Sequence, residues 1–174
     1  RSSRPLPLAV EPERSSPLSS LGFHEDQTFE TFNTKRYELG EEHLDNLERA
    51  YSTARDFAED PHYWLVLAGP PGCGKTHLAA AIANHRNQRG QPVWFVVVPD
   101  LLDHLRASFS PSSGCSYDRR FEEVRTAPLL VLDDLGTESA TAWAKEKLYQ
   151  LFNYRYNARL PTVITTASHP DDIE

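Results

Sequence analysis

Gly69-Pro70-Pro71-Gly72-Cys73-Gly74-Lys75-Thr76 stands between an apolar run, residues 63–68, and a stretch in which Leu78, Ala79, Ile82 and Ala83 repeat at helical spacing. The octapeptide fills the pattern G-x-x-x-x-G-K-[ST] completely, in the strand–loop–helix setting that the pattern requires. Glycines let successive backbone N–H groups turn inward around phosphate oxygens, and the positive end of the following helix adds to the attraction. Lys75 is then expected to bridge the β- and γ-phosphates, and the Thr76 hydroxyl to bind magnesium. Gly69, Pro70, Pro71, Gly72, Cys73, Gly74, Lys75, Thr76 and the adjoining His77 form the expected nucleotide site for ATP or ADP.

Outward from the loop, strand and helix alternate, which predicts a parallel α/β sheet covered by helices on both faces. Gly90 and Pro92 stop the first helix. Residues 93–98 form a second, continuously apolar strand, expected to be buried on both sides. Pro99 and Asp100 open a short helix, and a Ser/Pro/Gly loop over residues 110–116 leads to another, with Tyr117, Phe121 and Val124 inward. The third strand is read at 129–132, a long helix at 139–158 burying Ala144, Leu148, Leu151 and Phe152, and the fourth strand at 162–166.

Leu129-Leu130-Val131-Leu132-Asp133-Asp134 delivers two carboxylates at the carboxyl end of a buried strand, where ligands of open α/β sheets bind. Asp133 is the expected Mg2+ partner together with Thr76. Asp134 is the candidate to polarise an attacking water, with Lys75 stabilising the developing charge. The fourth strand ends in Thr165, Thr166, Ala167 and Ser168, any hydroxyl of which is a candidate to hold that water or to serve only as an ordinary turn residue. Arg155 falls on the inward stripe of the long helix and needs an anion, either an internal carboxylate or a neighbouring subunit's nucleotide. His62, His77, His85 and His104 show no ligand spacing with one another.

The 174 residues fit one domain with a real core. Residues 1–28 read as a flexible linker, since 1–20 hold four prolines and six serines. Residues 29–62 read as a lead-in segment and helix, with Leu44, Leu47, Tyr51, Ala54 and Ala58 on one stripe. The opposite face of that helix is acidic, with seven Asp/Glu against two Arg between Glu41 and Asp60. Residues 63–174 read as the nucleotide-binding core.

A formal charge of −7 and a pI near 5.5 argue against a surface built throughout for the nucleic-acid backbone, so any DNA contact is local. Arg106, Arg119, Arg120 and Arg125 are the candidates, offset in number by Asp103, Asp118, Glu122 and Glu123. Cys73 and Cys115 fit neither a disulfide framework nor a zinc cluster, which points to a reducing, cytoplasmic setting. No apolar stretch approaches the ~20 residues of a membrane helix. The chain contains no methionine, and we expect it to be a fragment of something longer.

With Thr28-Phe29-Glu30-Thr31-Phe32, the loop 69–76 continuing into His77-Leu78-Ala79, Val98-Pro99-Asp100-Leu101-Leu102, Leu132-Asp133-Asp134-Leu135-Gly136, Asn153-Tyr154-Arg155-Tyr156 and Leu160-Pro161-Thr162-Val163-Ile164-Thr165-Thr166, the chain resembles the AAA+ group of bacterial replicative-helicase loaders (DnaC/DnaI) and IstB-like transposition helpers. The resemblance implies a P-loop NTPase fold of the ASCE type, C-terminally truncated, with the first strand beside the fourth. It implies an ATPase that self-associates, takes a charge-stabilising arginine in trans from a neighbour, binds single-stranded DNA and helps to place a replicative helicase. Where the family commonly has a polar sensor the chain has Ala167, which makes Thr166 the substitute. The alternatives are the IstB-like helper, a nucleotide-dependent interaction module with little hydrolysis, and a small-molecule kinase; the last would need an acceptor pocket and an arginine-bearing lid.

Overall fold

The computed structural model describes residues 19–34, 40–108, 117–136 and 141–167. After a short 3-10 turn, Leu21–His24, come α1 (Glu41–Glu59), β1 (Trp64–Ala68), α2 (Lys75–Gln88), β2 (Trp94–Val97), α3 (Val98–Ala107), α4 (Tyr117–Thr126), β3 (Leu130–Leu135), α5 (Ala142–Asn157) and β4 (Thr162–Thr166). The four strands are parallel in the order β1-β4-β3-β2, so β1 does lie beside β4. Each strand follows closely on a proline (Pro61, Pro92, Pro128, Pro161), whose restriction of itself and its predecessor favours an extended approach.

Alternation along the strands divides the core in two. Leu67, Phe95, Val131 and Val163 face α1 and α2 with Leu78, Ala79 and Ile82. Val96, Leu130, Leu132 and Ile164 face α3, α4 and α5 with Leu101, Leu105, Phe121, Val124, Leu148 and Leu151. Helices thus cover both faces, as the alternating pattern predicts. Helix α2 is buried more completely than its expected stripe, since every residue from Leu78 to Asn84 is buried. Its run of alanines lets α1 and the Leu21–His24 turn pack closely against it, and both also touch the sheet, with the His24 ring 4.7 Å from that of Phe95.

The expected linker over residues 1–28 is corrected at its C-terminal end. Ser20 donates its N–H to the carbonyl of Phe95 at 2.8 Å, and Ser19 Oγ accepts from the N–H of Phe95 at 3.2 Å, so the pair pairs with β2. Leu21 is buried, and Asn84 Nδ2 donates to the carbonyls of His24 and Gln27 at 2.8 and 2.9 Å. Residues 1–18 lie outside the described part, as do Cys115, Ser168 and the side chain of Tyr117.

Other boundaries differ from expectation too: β2 ends at Val97, and Val98 already belongs to α3. Strand β3 continues through Asp133 and Asp134 to Leu135, with a register shift against β4 between Leu132 and Leu135. Helix α5 is assigned from Ala142, with Thr141 as its N-cap accepting the N–H of Ala144 at 3.2 Å.

Candidate nucleotide site

The loop turns through positive φ at Gly72 (+78°) and Gly74 (+97°), conformations that a side chain would strain. Gly74 is the N-cap of α2, so the N–H groups of the first helical turn, which find no partner within the helix, begin at Lys75. The Lys75 ammonium lies back on the loop, donating to the carbonyls of Gly69 and Pro70 at 2.8 Å each. Gly69 N–H is held by the carbonyl of Thr166 at 3.2 Å, which fixes the start of the loop to the end of β4.

Thr76 and Asp133 come from α2 and β3 and meet at the carboxyl end of the sheet. The Thr76 hydroxyl is 3.0 and 3.2 Å from the two Asp133 carboxylate oxygens. Asp133 is 6% exposed, and Thr165 Oγ1 donates to its Oδ1 at 2.7 Å. Thr165 also accepts the N–H of Asp134 at 2.9 Å. Asp134 itself is exposed and sits at φ +60°, a left-handed conformation that is uncommon for a non-glycine residue and clusters at functional sites.

These positions refine the sequence reading. The structure brings Lys75, Thr76, Asp133 and Asp134 to the carboxyl end of the sheet. The hydroxyl it joins to Asp133 belongs to Thr165, the neighbour of Thr166, the residue expected to hold the water. Successive strand residues face opposite sides, so Thr165 shares the α2 face with Val163, while buried Thr166 shares the other face with Ile164. The His77 side chain is also redirected: its Nε2 lies 2.8 Å from the Thr28 carbonyl and 3.2 Å from Thr31 Oγ1, so it holds the lead-in segment and only its backbone belongs to the loop end.

Arg155 meets neither of its two expected anions. It is fully buried and donates from Nε to Thr162 Oγ1 (2.8 Å), from one terminal nitrogen to the carbonyls of Arg125 and Ala127 (3.1 and 2.8 Å), and from the other to Pro161 (2.7 Å). Burial pushes its pKa down to about 10, which leaves it charged at neutral pH. Carbonyl dipoles take the place of a carboxylate. Among the arginines considered for DNA, Arg106 lies 3.7 Å from Asp103 and stacks over Trp143, Arg119 pairs with Glu123 at 3.1 Å, and Arg125 pairs with Glu122 and stacks over Tyr154. Each of these three has an acidic neighbour on its own helix, and the side chains of Arg106 and Arg119 remain 49% and 74% exposed.

The residues fit a magnesium nucleotide. Thr76 and Asp133 offer hard oxygen donors, and Mg2+ is ordinarily held by one or two protein oxygens with phosphates and waters completing the shell. Among the described residues no cluster of three or more His, Cys, Asp or Glu suits a metal held by protein alone. Likewise no helix among them is long and apolar enough to cross a membrane.

Comparison with known proteins gives the family and the fold. A family model described as "IstB-like ATP binding protein" matches residues 20–171. The replicative helicase loader DnaC of Escherichia coli (strain K12) is 30% identical over 127 residues, covering 71% of this chain and 51% of that protein. The replicative helicase loader DnaI of Bacillus subtilis (strain 168) is 32% identical over 111 residues, covering 63% and 35%. The chain therefore spans about half the length, or less, of these curated relatives. A crystal structure of the DnaC helicase loader superposes with a TM-score of 0.67 at 28% identity, covering 84% of this chain and 80% of that one. AMPPCP-bound DnaA from Aquifex aeolicus superposes at 0.72 with 20% identity, covering 91% and 46%, and shares the fold.

Proposed function

Because the chain belongs to the IstB-like ATP-binding family, in the group of AAA+ P-loop ATPases with the helicase loaders DnaC and DnaI, we propose that it is the nucleotide-binding core of a replicative helicase loader. It takes ATP with Mg2+ at residues 69–76 and hydrolyses ATP to ADP and phosphate within an assembly. The observation that carries this reading is the approach of Thr76 to Asp133 at 3.0 Å, which joins the phosphate loop to the carboxyl end of a central strand.

In the proposed complex the main-chain N–H groups of the loop and of the first turn of α2 donate to phosphate oxygens. Lys75 turns from the neutral carbonyls of Gly69 and Pro70 to the phosphates, exchanging ordinary acceptors for charged ones. Thr76 and Asp133 hold the cation, which when bound neutralises phosphate charge and polarises the γ-phosphoryl group. Thr165 fixes the rotamer of Asp133. Asp134, exposed beside it, accepts a hydrogen bond from the attacking water and orients it. Thr166 supports the site through its carbonyl to Gly69, which ties β4 to the loop.

Self-association with an arginine supplied by a neighbour, contact with single-stranded DNA, engagement of the helicase and a cytoplasmic location are parts of the same proposal. Engagement of the helicase rests on the name of the replicative helicase loaders to which the chain is similar, and the other parts rest on the family resemblance of the sequence. The family's own description favours one second reading, an IstB-like transposition helper. The site chemistry is common to both, so co-purification with a replicative helicase or with a transposase separates them.

Lys75→Ala is expected to weaken a fluorescent ATP analogue by about 100-fold or more, the loss of a charge-assisted grip on two phosphates. Unchanged affinity defeats the site assignment. Single-turnover phosphate release from the full-length protein distinguishes a working ATPase from a module that only binds.

A further inference from the structure

Helix α2 begins at a glycine that carries a neighbour on its back. A Cβ built on Gly74 would lie 2.9 Å from Cε2 and 3.2 Å from Cζ of Phe32, so the ring rests directly against the loop backbone. Behind it, Phe32 stacks on Tyr51 at 5.7 Å between centroids, and it meets His77 edge-on at 5.1 Å. His77 closes the clasp by bonding to Thr28 and Thr31, and Thr31 Oγ1 donates in turn to the Asp26 carbonyl at 2.7 Å. Residues 28–32 are thereby fastened to the first turn of α2, while Tyr51 Oη donates to the Phe29 carbonyl at 3.1 Å from the α1 side.

A loop with glycines at positive φ samples many conformations when nothing restrains it. Its affinity for a polyphosphate then falls in proportion to the fraction of molecules whose N–H groups already point inward. We infer that Phe32 is a positioning residue for the nucleotide site: its ring holds Gly74 in the left-handed conformation and so keeps the amides of Lys75 and Thr76 aimed at the phosphates. The inference rests on the reading of residues 69–76 as a nucleotide site, and it adds a residue that touches neither phosphate nor metal. By reciprocity, whatever pulls on the segment before Phe32 alters nucleotide affinity, and nucleotide tightens that segment.

The test measures a fluorescent ADP analogue, melting temperature and amide hydrogen exchange on the same protein samples. Phe32→Ala is expected to weaken the analogue by about tenfold, as the competent fraction of the loop drops to about a tenth. Exchange should quicken at residues 72–78 and not in the strands. Phe32→Leu, which keeps bulk but loses the flat ring, should fall between the two and serves if the alanine variant does not fold. Phe121→Ala, in the core on the opposite face of the sheet, lowers the melting temperature as a control and should leave affinity within about twofold. Affinity and loop exchange unchanged in the Phe32 variants overturn the inference while the nucleotide site stands. Failure of the parent chain to bind the analogue instead removes the site and the inference together.

Discussion

Two buried charges sit at opposite ends of the same pair of strands, each steadied by a threonine of β4. At the carboxyl end Thr165 donates to Asp133 at 2.7 Å; at the amino end Arg155 donates to Thr162 at 2.8 Å. The difference lies in what else each charge has. Arg155 spends its fork on three main-chain carbonyls that cannot move without unfolding β3, β4 or their connections. Asp133 receives hydroxyls from Thr76 and Thr165, and a carboxylate with about four lone-pair sites keeps acceptor capacity beyond them. A buried charge satisfied by the fold is architecture. A buried charge with capacity left over, beside the proposed phosphate loop, is what the proposed cation site requires.

The largest effect should come from the architectural end. Arg155→Ala leaves the carbonyls of Arg125, Ala127 and Pro161 without their donor and opens a cavity, and should cost about 3 kcal/mol or more in urea unfolding. Lysine should rescue little, because one ammonium cannot reproduce the planar fork. Nucleotide affinity per folded molecule should hold. A variant that unfolds normally but loses nucleotide would mean that Arg155 belongs to the site after all, and the comparison would break.

Asp133→Asn should behave in the opposite manner. It keeps the volume and an acceptor for the threonines, so unfolding should shift by less than about 1 kcal/mol. The gain in nucleotide affinity that Mg2+ confers should shrink by about 10- to 100-fold, measured by titration with and without EDTA. Equal magnesium dependence in parent and variant would take the cation away from Asp133.

Much of this contrast was legible in the sequence on one side only. The phosphate loop and the Leu-Leu-Val-Leu-Asp-Asp run announce themselves because their chemistry is concentrated in contiguous residues with fixed spacing. Parallel strands and double helical cover follow from the alternation of apolar patterns. Arg155 was recognisable as a buried cation from its place on the stripe of α5, but its partners are carbonyls, which every residue carries and no sequence marks. Thr165 and Thr166 are chemically the same, and only the register of β4 against β3 tells which one faces Asp133. Ser19 and Ser20 read as linker because their contribution is three hydrogen bonds to the backbone of Phe95, not apolar burial. Asn84 was hidden for a related reason: an amide inside an alanine-rich helix shows its purpose only when the two carbonyls it holds are known.

The smallest expected effects are the sharpest test, because the two threonines can be changed identically. Thr162→Val and Thr165→Val each remove one hydroxyl and keep the branched shape that a buried strand prefers, and each should cost about 1 kcal/mol of stability. Beyond that the two should part. Thr162→Val touches Arg155 and the Leu160 carbonyl, both away from the loop, and should leave nucleotide binding unaltered. Thr165→Val releases Asp133 Oδ1 and also strips the N–H of Asp134 of the acceptor it has at 2.9 Å, which helps to hold that residue at φ +60°. Phosphate release in a single turnover of the full-length protein should therefore slow in Thr165→Val by more than its affinity for ATP declines, since the orientation of Asp134 matters only once water attacks. If both valine variants release phosphate at the parent rate, the left-handed turn at Asp134 is a feature of the β3 bulge alone, and the water-orienting role passes to another group.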